Sequence, residues 1–312
     1  MKFSFHLLLA PVFVLLFCFP AARAQTSEIN IPAVLAEAKA KSAENWRRMF
    51  LNYPNYTFKF RKIWREADKN NRTREKSELY EIFPPPKCSH KKCRNVTILL
   101  AKDGVPNAPE KIERERRKAG EKLEQLENDK KAREFQSKRQ NDWLRFIFWH
   151  PDPMNRLRTL TLKIDGQELL EKCEFFSAET ETINGREAIS LRFRARADAV
   201  FTPETSYAAS VEGKIWIDAA DKVFIRLAMW QKDGAGAAAA KFESQKSDEL
   251  LANAAAVFDL TRTKEGIWFF RLGQFRGIKN PALFTKMASD FSIENFEHRF
   301  FATEIKTVEI ND

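Results

Sequence analysis

Between residues 56 and 61 the chain reads Tyr56-Thr57-Phe58-Lys59-Phe60-Arg61, with apolar and polar side chains in strict alternation. A period of two sends successive side chains to opposite faces of an extended strand, so such a block needs a neighbouring strand and one covered face. Lys62-Ile63-Trp64 shifts the alternation by one, as a bulge does. Asp68-Lys69-Asn70-Asn71 then forms a turn into a second block, 75–83, which Pro84-Pro85-Pro86 ends; a third block, 95–102, stops at Asp103-Gly104. The pattern returns at 157–164, at 174–182 and, after the turn Asn184-Gly185, at 188–197. It continues at 211–217, 223–230, 257–263, 266–277 and 295–310. In the 188–197 block Ile189, Leu191 and Phe193 share one face, and Ser190, Arg192 and Arg194 share the other, which is expected to be wet. Short turns between roughly ten such blocks predict one antiparallel sheet. The apolar positions between residues 56 and 100 are too few for a core of their own, which favours a single curved sheet over two domains.

Two segments break the alternation. Residues 34–53 are rich in alanine, contain no internal Gly or Pro, and place Leu35, Ala38, Trp46, Met49 and Phe50 on one helical face before Pro54 stops the run. From 105 to 141 the composition turns to Lys, Glu and Arg, with only a thin apolar seam at Ile112, Ala119, Leu123, Leu126 and Phe135. That insertion reads as a charged helix or helical hairpin projecting into solvent, or as a partly disordered segment. The aromatic run 142–149 is expected to pack it back onto the sheet, and 282–287 reads as a short helix. The fold class is therefore α+β: a curved antiparallel sheet with an N-terminal helix and a charged helical insertion.

The start of the chain carries an address. Met1, Lys2 and His6 precede an apolar run from Leu7 to Phe19, followed by Ala22-Arg23-Ala24. A basic head, a short apolar stretch and a small-x-small site are the parts of a secretory signal peptide, and the stretch is short for a bilayer span. Cleavage is expected near Ala24, leaving residues 25–312 as one exported domain, periplasmic or secreted. Phe17 before Cys18 departs from the small residue that lipobox processing needs, so the mature chain is expected to be soluble.

In an oxidising compartment Cys88 and Cys93 are close enough to pair around Ser89-His90-Lys91-Lys92. A metal held by Cys88, His90 and Cys93 is the alternative, although it lacks a fourth ligand and Lys87, Lys91 and Lys92 repel a cation. Cys173 reads as a buried thiol. The formal charge is +10, of which Lys2 and Arg23 contribute two before the cleavage point. A basic surplus suits an anionic membrane surface. Acids interleave with the bases, however, and no nucleic-acid motif is present, so a nucleic-acid partner is not expected.

Reaction chemistry is not written in the residues. The chain has no Gly-x-Ser-x-Gly, no His-Glu-x-x-His and no phosphate-cradling glycine loop. His90, His150 and His298 have no partners at metal-site spacing. Asp218 and Asp221 flank a turn, where aspartate serves the local backbone. No catalytic residue, resident metal or cofactor is expected, and the chain reads as a non-enzyme.

Glu181-Thr182-Ile183-Asn184-Gly185-Arg186 and the hairpin around Gly213-Lys214-Ile215-Trp216-Ile217-Asp218 and Val223-Phe224-Ile225-Arg226-Leu227 resemble exported bacterial proteins of the LolA/LolB-like lipoprotein-carrier type. The resemblance implies an unclosed β half-barrel whose helices cover a concave face, making an apolar groove for acyl chains. Tyr56, Phe58, Phe60 and Trp64 are candidate lining for such a groove, as are Ile189, Leu191, Phe193, Ile215, Ile217, Ile225 and Leu227; the same residues also read as plain sheet core. One functional reading is a binding protein for a lipid, acyl chain or lipoprotein. The alternative is an envelope structural or interaction protein whose charged helix is the partner surface.

Overall fold

A computed structural model describes residues 29–67, 73–84, 95–127, 145–151, 159–201, 209, 211–231, 254, 256–275 and 290–300. The chain divides into two compact units, Met1–Asn30 and Ile31–Asp312, of which the second contains the sheet and its helices. The expected signal peptide, the Cys88 and Cys93 pair, the end of the charged insertion and the helix at 282–287 lie outside the described residues.

Helix α1, Ile31–Asn52, closes through a 3-10 turn, Tyr53–Asn55, that contains Pro54. Strands β1 Tyr56–Ala67, β2 Thr73–Phe83, β3 Val96–Lys102 and β4 Val105–Pro106 follow, then helix α2 Pro109–Glu127. Next come β5 Arg145–Pro151, β6 Thr159–Asp165 and α3 Gly166–Lys172, then β7 Cys173–Ile183, β8 Arg186–Ala195, β9 Val211–Asp218 and β10 Phe224–Gln231. Strands β11 Ala256–Arg262, β12 Trp268–Phe275 and β13 Asp290–Phe300 complete the described elements.

Eleven strands form one antiparallel sheet in the order β4-β3-β2-β1-β13-β12-β11-β10-β9-β8-β7. Every step joins chain neighbours except β1 to β13, where the last described strand docks on the first. β4 and β7 end the order without pairing to each other, so the sheet is an unclosed half-barrel of the expected α+β class. β5 and β6 pair separately as a hairpin. The hairpin turns follow their chemistry: Asn184 and Gly185 have φ of 51° and 78°, and Asp103 and Gly104 have 50° and 78°. Two consecutive positive φ values give the turn whose twist matches the strands on either side.

Several boundaries differ from the sequence expectation. The aromatic run at 145–149 forms strand β5, as aromatic side chains favour extended backbone; what its side chains pack against lies outside the described residues. Between the blocks at 157–164 and 174–182 lies helix α3, which starts at Gly166 and carries a Lys172–Glu168 ion pair of 2.6 Å one turn apart. β13 starts at Asp290 rather than 295. The expected shift at 62–64 is absent from the β1–β2 register, and the irregularity of β1 falls between Thr57 and Lys59, against β13. Glu297, at φ 52°, supplies the extra residue there.

Helix α1 covers one face of β7 to β12. Its Ala38 is fully buried, with Leu191, Phe193, Ile217 and Met229, and Val34, Leu35 and Trp46 pack around that cluster. Polar residues of α1 also join the sheet. Asn45 Nδ2 donates to the Trp268 carbonyl at 3.0 Å while its Oδ1 accepts the Trp268 N–H at 2.9 Å. The Phe224 N–H donates to Ser42 Oγ at 2.9 Å. Among the described residues β12 pairs with β13 from Leu272 onward, so Asn45 takes up backbone groups of Trp268 that no described strand reaches on the side away from β11. Asn295 does the same for the Phe270 carbonyl, at 3.1 Å.

The opposite face is not the wet surface expected from Ser190, Arg192 and Arg194. Arg194 is exposed, yet Ser190 and Trp216 are fully buried, and Ala228, Trp230 and Val257 form a second apolar cluster with Trp216. Charges buried there are matched. Lys214 Nζ donates to Glu181, whose other oxygen accepts Trp216 Nε1 at 3.0 Å. Asp259 accepts from Arg226 Nη2 at 2.9 Å and from Arg271. Such pairing is what makes a buried charge tolerable.

α2 sits on this same opposite face at the other end of the sheet. Ile112, Ala119 and Leu123 pack on Val96 and Ile98 of β3, and Arg116 Nε donates to Glu81 at 2.9 Å. The thin seam is thus enough to seat the described part of the insertion on β3; it does not project into solvent.

Candidate functional site: the inner face of β13, β1 and β2

Alternation along β1 places Tyr56, Phe58, Phe60, Lys62 and Trp64 on the face that α1 occupies. The four β1 candidates therefore share one face. Ile189, Leu191, Phe193, Ile215, Ile217 and Leu227 lie on the same face of β8, β9 and β10, gathered around the α1 cluster. Ile225 does not join them. The register shifts between Phe224 and Arg226, so Phe224 enters the α1 cluster and Ile225 the opposite one.

Much of this face is filled. Leu191 and Ile217 have no exposed surface, and Phe193, Ile215 and Leu227 are nearly as enclosed, which makes them core and not lining. Ile189 is half-buried at its margin. Tyr56 is buried too, its ring tilted on Phe269 at 4.6 Å and on Phe300 at 5.0 Å. Its hydroxyl donates to Glu265 Oε2 at 2.9 Å and lies 3.3 Å from Thr263 Oγ1. Burial first, with the Glu265 carboxylate adding to it, pushes that phenol well above its usual range. Phe58 stacks on the His298 ring at 5.4 Å, and Phe269 meets the same ring at 5.3 Å. Burial pushes the His298 imidazole down to about 4, so it stands neutral between two phenyl rings.

Further along β1 the face changes character. The register sets Phe60 beside Tyr80 of β2 and Asn295 of β13, Lys62 beside Glu78 and Ile293, and Trp64 beside Lys76 and Phe291. Phe60, Trp64, Tyr80, Phe291 and Ile293 are all half-buried. Phe60, Trp64 and Tyr80 belong to none of the four core clusters, although Phe291 touches the edge of the one under α1. The Phe60 and Tyr80 rings are 6.2 Å apart. Lys62 Nζ lies 4.6 Å from the Trp64 ring centroid and 6.0 Å from that of Phe291. The Tyr80 hydroxyl donates to Glu78 Oε2 at 2.9 Å, and burial, then that carboxylate, pushes its pKa up to about 12.

The arrangement is an apolar, aromatic strip three strands wide with an ammonium set into it. It can hold an apolar chain by contact and dispersion. Among the described residues no group of three His, Cys, Asp or Glu could hold a metal ion, and no helix is long and apolar enough to cross a membrane. Sequence reading missed Lys62, Tyr80, Phe291 and Ile293. Tyr80 carries the same alternation as Ile82 within an expected strand, so the β1–β2 register would have found it. Phe291 and Ile293 alternate in Asp290-Phe291-Ser292-Ile293, just before the block assigned as the last strand.

The two motifs that carried the family resemblance meet in space. Arg186 Nε donates to Asp218 Oδ2 at 2.6 Å and Arg186 Nη2 to Oδ1 at 2.8 Å, a two-pronged contact that joins the Asn184-Gly185-Arg186 turn to the end of β9. Asp218 Oδ1 also accepts the N–H groups of Ala220 and Asp221 at 3.1 and 2.7 Å, so this aspartate builds its own turn. Asp221 in turn accepts from Arg262 Nε at 2.7 Å and Trp268 Nε1 at 2.9 Å. These carboxylates are structural, and they fix β8, β9, β11 and β12 to one another.

No protein-family model matches the chain, and no curated relative matches it. Among solved structures, a domain assigned as an outer membrane lipoprotein-sorting protein from Vibrio parahaemolyticus is similar at 9% identity and a TM-score of 0.34, over 90% of this chain and 94% of its own. A LolA superfamily protein from Nitrosomonas europaea is similar at 7% identity and a TM-score of 0.27, over 86% of this chain and 93% of its own. A MucA/MucB complex from Pseudomonas aeruginosa gives 8% identity and a TM-score of 0.22, over 84% of this chain and 99% of the matched one. At such TM-scores the likeness bears on no residue of the site, and the half-barrel rests on the strand order and registers themselves.

Proposed function

We propose that this chain is an exported, non-enzymatic binding protein that shelters the apolar chain of a lipid or lipoprotein against the inner face of β13, β1 and β2. Residues 1–24 serve as its signal peptide and 25–312 as a single working domain. One observation carries the reading: Phe60, Trp64, Tyr80, Phe291 and Ile293 lie together on one face, half-buried, where the α1 core ends. Each methylene buried on such a surface contributes about 0.8 kcal/mol. Ten of them supply on the order of 8 kcal/mol before the costs of ordering the ligand are subtracted. The net charge of +10, less the two charges of Lys2 and Arg23 in the signal peptide, favours approach to an anionic membrane, where such chains reside.

The test is direct. The full chain is exported in a bacterial host and purified without detergent, its organic extract is read by mass spectrometry, and the stripped protein is titrated with a fluorescent acyl probe. Co-purifying acyl species, or saturable probe uptake that falls in Trp64→Ala and Phe60→Ala, is the expected outcome. A protein that carries no lipid and takes up no probe would remove the carrier function.

A further inference from the structure

The inner strip is not uniformly apolar, and its charge is arranged in an unusual way. Arg61 and Arg65 alternate to the other face of β1, where Glu294 and Glu75 meet them at 3.6 and 2.8 Å. Lys62 is turned inward instead, over the Trp64 and Phe291 rings. Among the described residues no carboxylate lies within ion-pair distance of its ammonium. The nearest acid by register, Glu78, accepts the Tyr80 hydroxyl. Lys76, opposite Trp64, lies on the same face but has a partner of its own. A half-buried ammonium held by ring faces alone keeps N–H donors that an incoming anion can use.

We propose that Lys62 is the head-group residue of the strip, and that the occupant is a single-chain amphiphile ending in a carboxylate, a long-chain fatty acid. This rests on the carrier function proposed above and specifies its ligand. The apolar chain lies across Phe60, Tyr80 and Ile293, and the carboxylate meets the Lys62 ammonium at the Trp64 and Phe291 end. The placement of charge along β1 favours this anion over a phosphate head group. A phosphate is best matched by the planar two-pronged fork of arginine, and the arginines of β1 face away. One compact ammonium matches one carboxylate.

The experiment compares oleate with oleyl alcohol, the same chain with and without the charge, by isothermal titration of the full-length mature protein at a pH where the acid is ionised. Wild type is expected to bind oleate about tenfold more tightly, a difference of about 1.4 kcal/mol. The ratio of the two affinities falls to near one in Lys62→Met and is retained in Lys62→Arg, which separates charge from packing. A wild type that binds both ligands equally, or a Lys62→Met protein that still prefers oleate, overturns the assignment of Lys62 while leaving an acyl carrier standing. A wild type that binds neither ligand overturns both the assignment and the carrier function. Preference for dioleoylphosphatidic acid over oleate would also overturn it, since a phosphate would then be the favoured head group.

Discussion

Gly213 offers the sharpest check on the packing beneath α1. It sits in β9 directly opposite Phe193 of β8 and beside Met229 of β10. A Cβ at Gly213 would stand 2.2 Å from Phe193 Cζ, 2.3 Å from its Cε1 and 2.6 Å from the Ala228 carbonyl oxygen. The bare glycine therefore leaves room for a phenyl ring that is 1% exposed. Gly213→Ala forces that ring aside in a buried core, and overpacking of this kind costs about 1–3 kcal/mol. The gain from a less flexible unfolded chain, about 0.4–1 kcal/mol, offsets part of it. A net loss of roughly 1–2 kcal/mol follows from those two figures. Urea unfolding followed by tryptophan fluorescence should show a lower midpoint with an unchanged slope. The decisive measurement is the same substitution in a Phe193→Ala background. With the ring gone only the Ala228 carbonyl remains in the way, so the penalty should fall by at least half. A penalty of equal size in both backgrounds would refute the close approach of ring to backbone.

Two pH effects follow from the same core. Burial alone would raise the Asp218 carboxyl, but Arg186 and the N–H groups of Asp221 and Ala220 hold it below the usual carboxylate range. Its folded pKa lies under the unfolded one, so its stabilisation is complete above about pH 3.9 and is lost as pH falls through the folded value. Asp218→Asn should lower stability at neutral pH by about 2 kcal/mol and flatten the acid limb of the urea midpoint against pH. His298 is neutral when folded down to about pH 4, against an ordinary value of 6.5. The unfolded chain binds a proton across that window that the folded one does not, so stability declines as pH drops from 6.5 toward 4. His298→Phe, set between Phe58 and Phe269, should remove that decline; an unaltered slope would place His298 in contact with water.

The sheet was legible because its signals are local. Strict alternation marked β1, Asn184-Gly185 marked the β7–β8 turn, and the alanine-rich run ahead of Pro54 marked α1. What alternation does not reveal is a bulge. One extra residue near Phe224 was enough to send Ile225 to the far face although it reads in step with Leu227. Nor does it reveal which of two faces is covered. Ser190, Arg192 and Arg194 read as a solvent side, yet Ser190 lies buried there with Trp216, beside the paired charges of Lys214, Arg226 and Asp259. The thin seam of α2 misled for a related reason. Ile112, Ala119 and Leu123 are few, but β3 offers Val96 and Ile98 at the matching place, and a helix needs only a narrow stripe to seat on a sheet.

The site was half legible because it is made at the one junction that local pattern cannot foresee. Phe60 and Trp64 were in view from the first strand block, and Tyr80 is one hairpin away. Phe291 and Ile293 come from the far end of the chain and reach β1 only because β13 docks there. That docking also explains why the strip lies at this place. Among the described residues β12 and β13 pair at four positions, and side chains of Asn45 and Asn295 take up the backbone groups of β12 before that point. α1 follows the β7–β12 side of this seam and, among the described residues, meets β1 near Tyr56, while Tyr53 of the 3-10 turn meets Phe58. The rings beyond are left without a helix from the described part of the chain. An apolar surface at the edge of a filled core, with an inward lysine where its neighbours turn outward, is costly to keep for stability alone. Under the carrier function proposed above, an amphiphile completes the face that α1 leaves short.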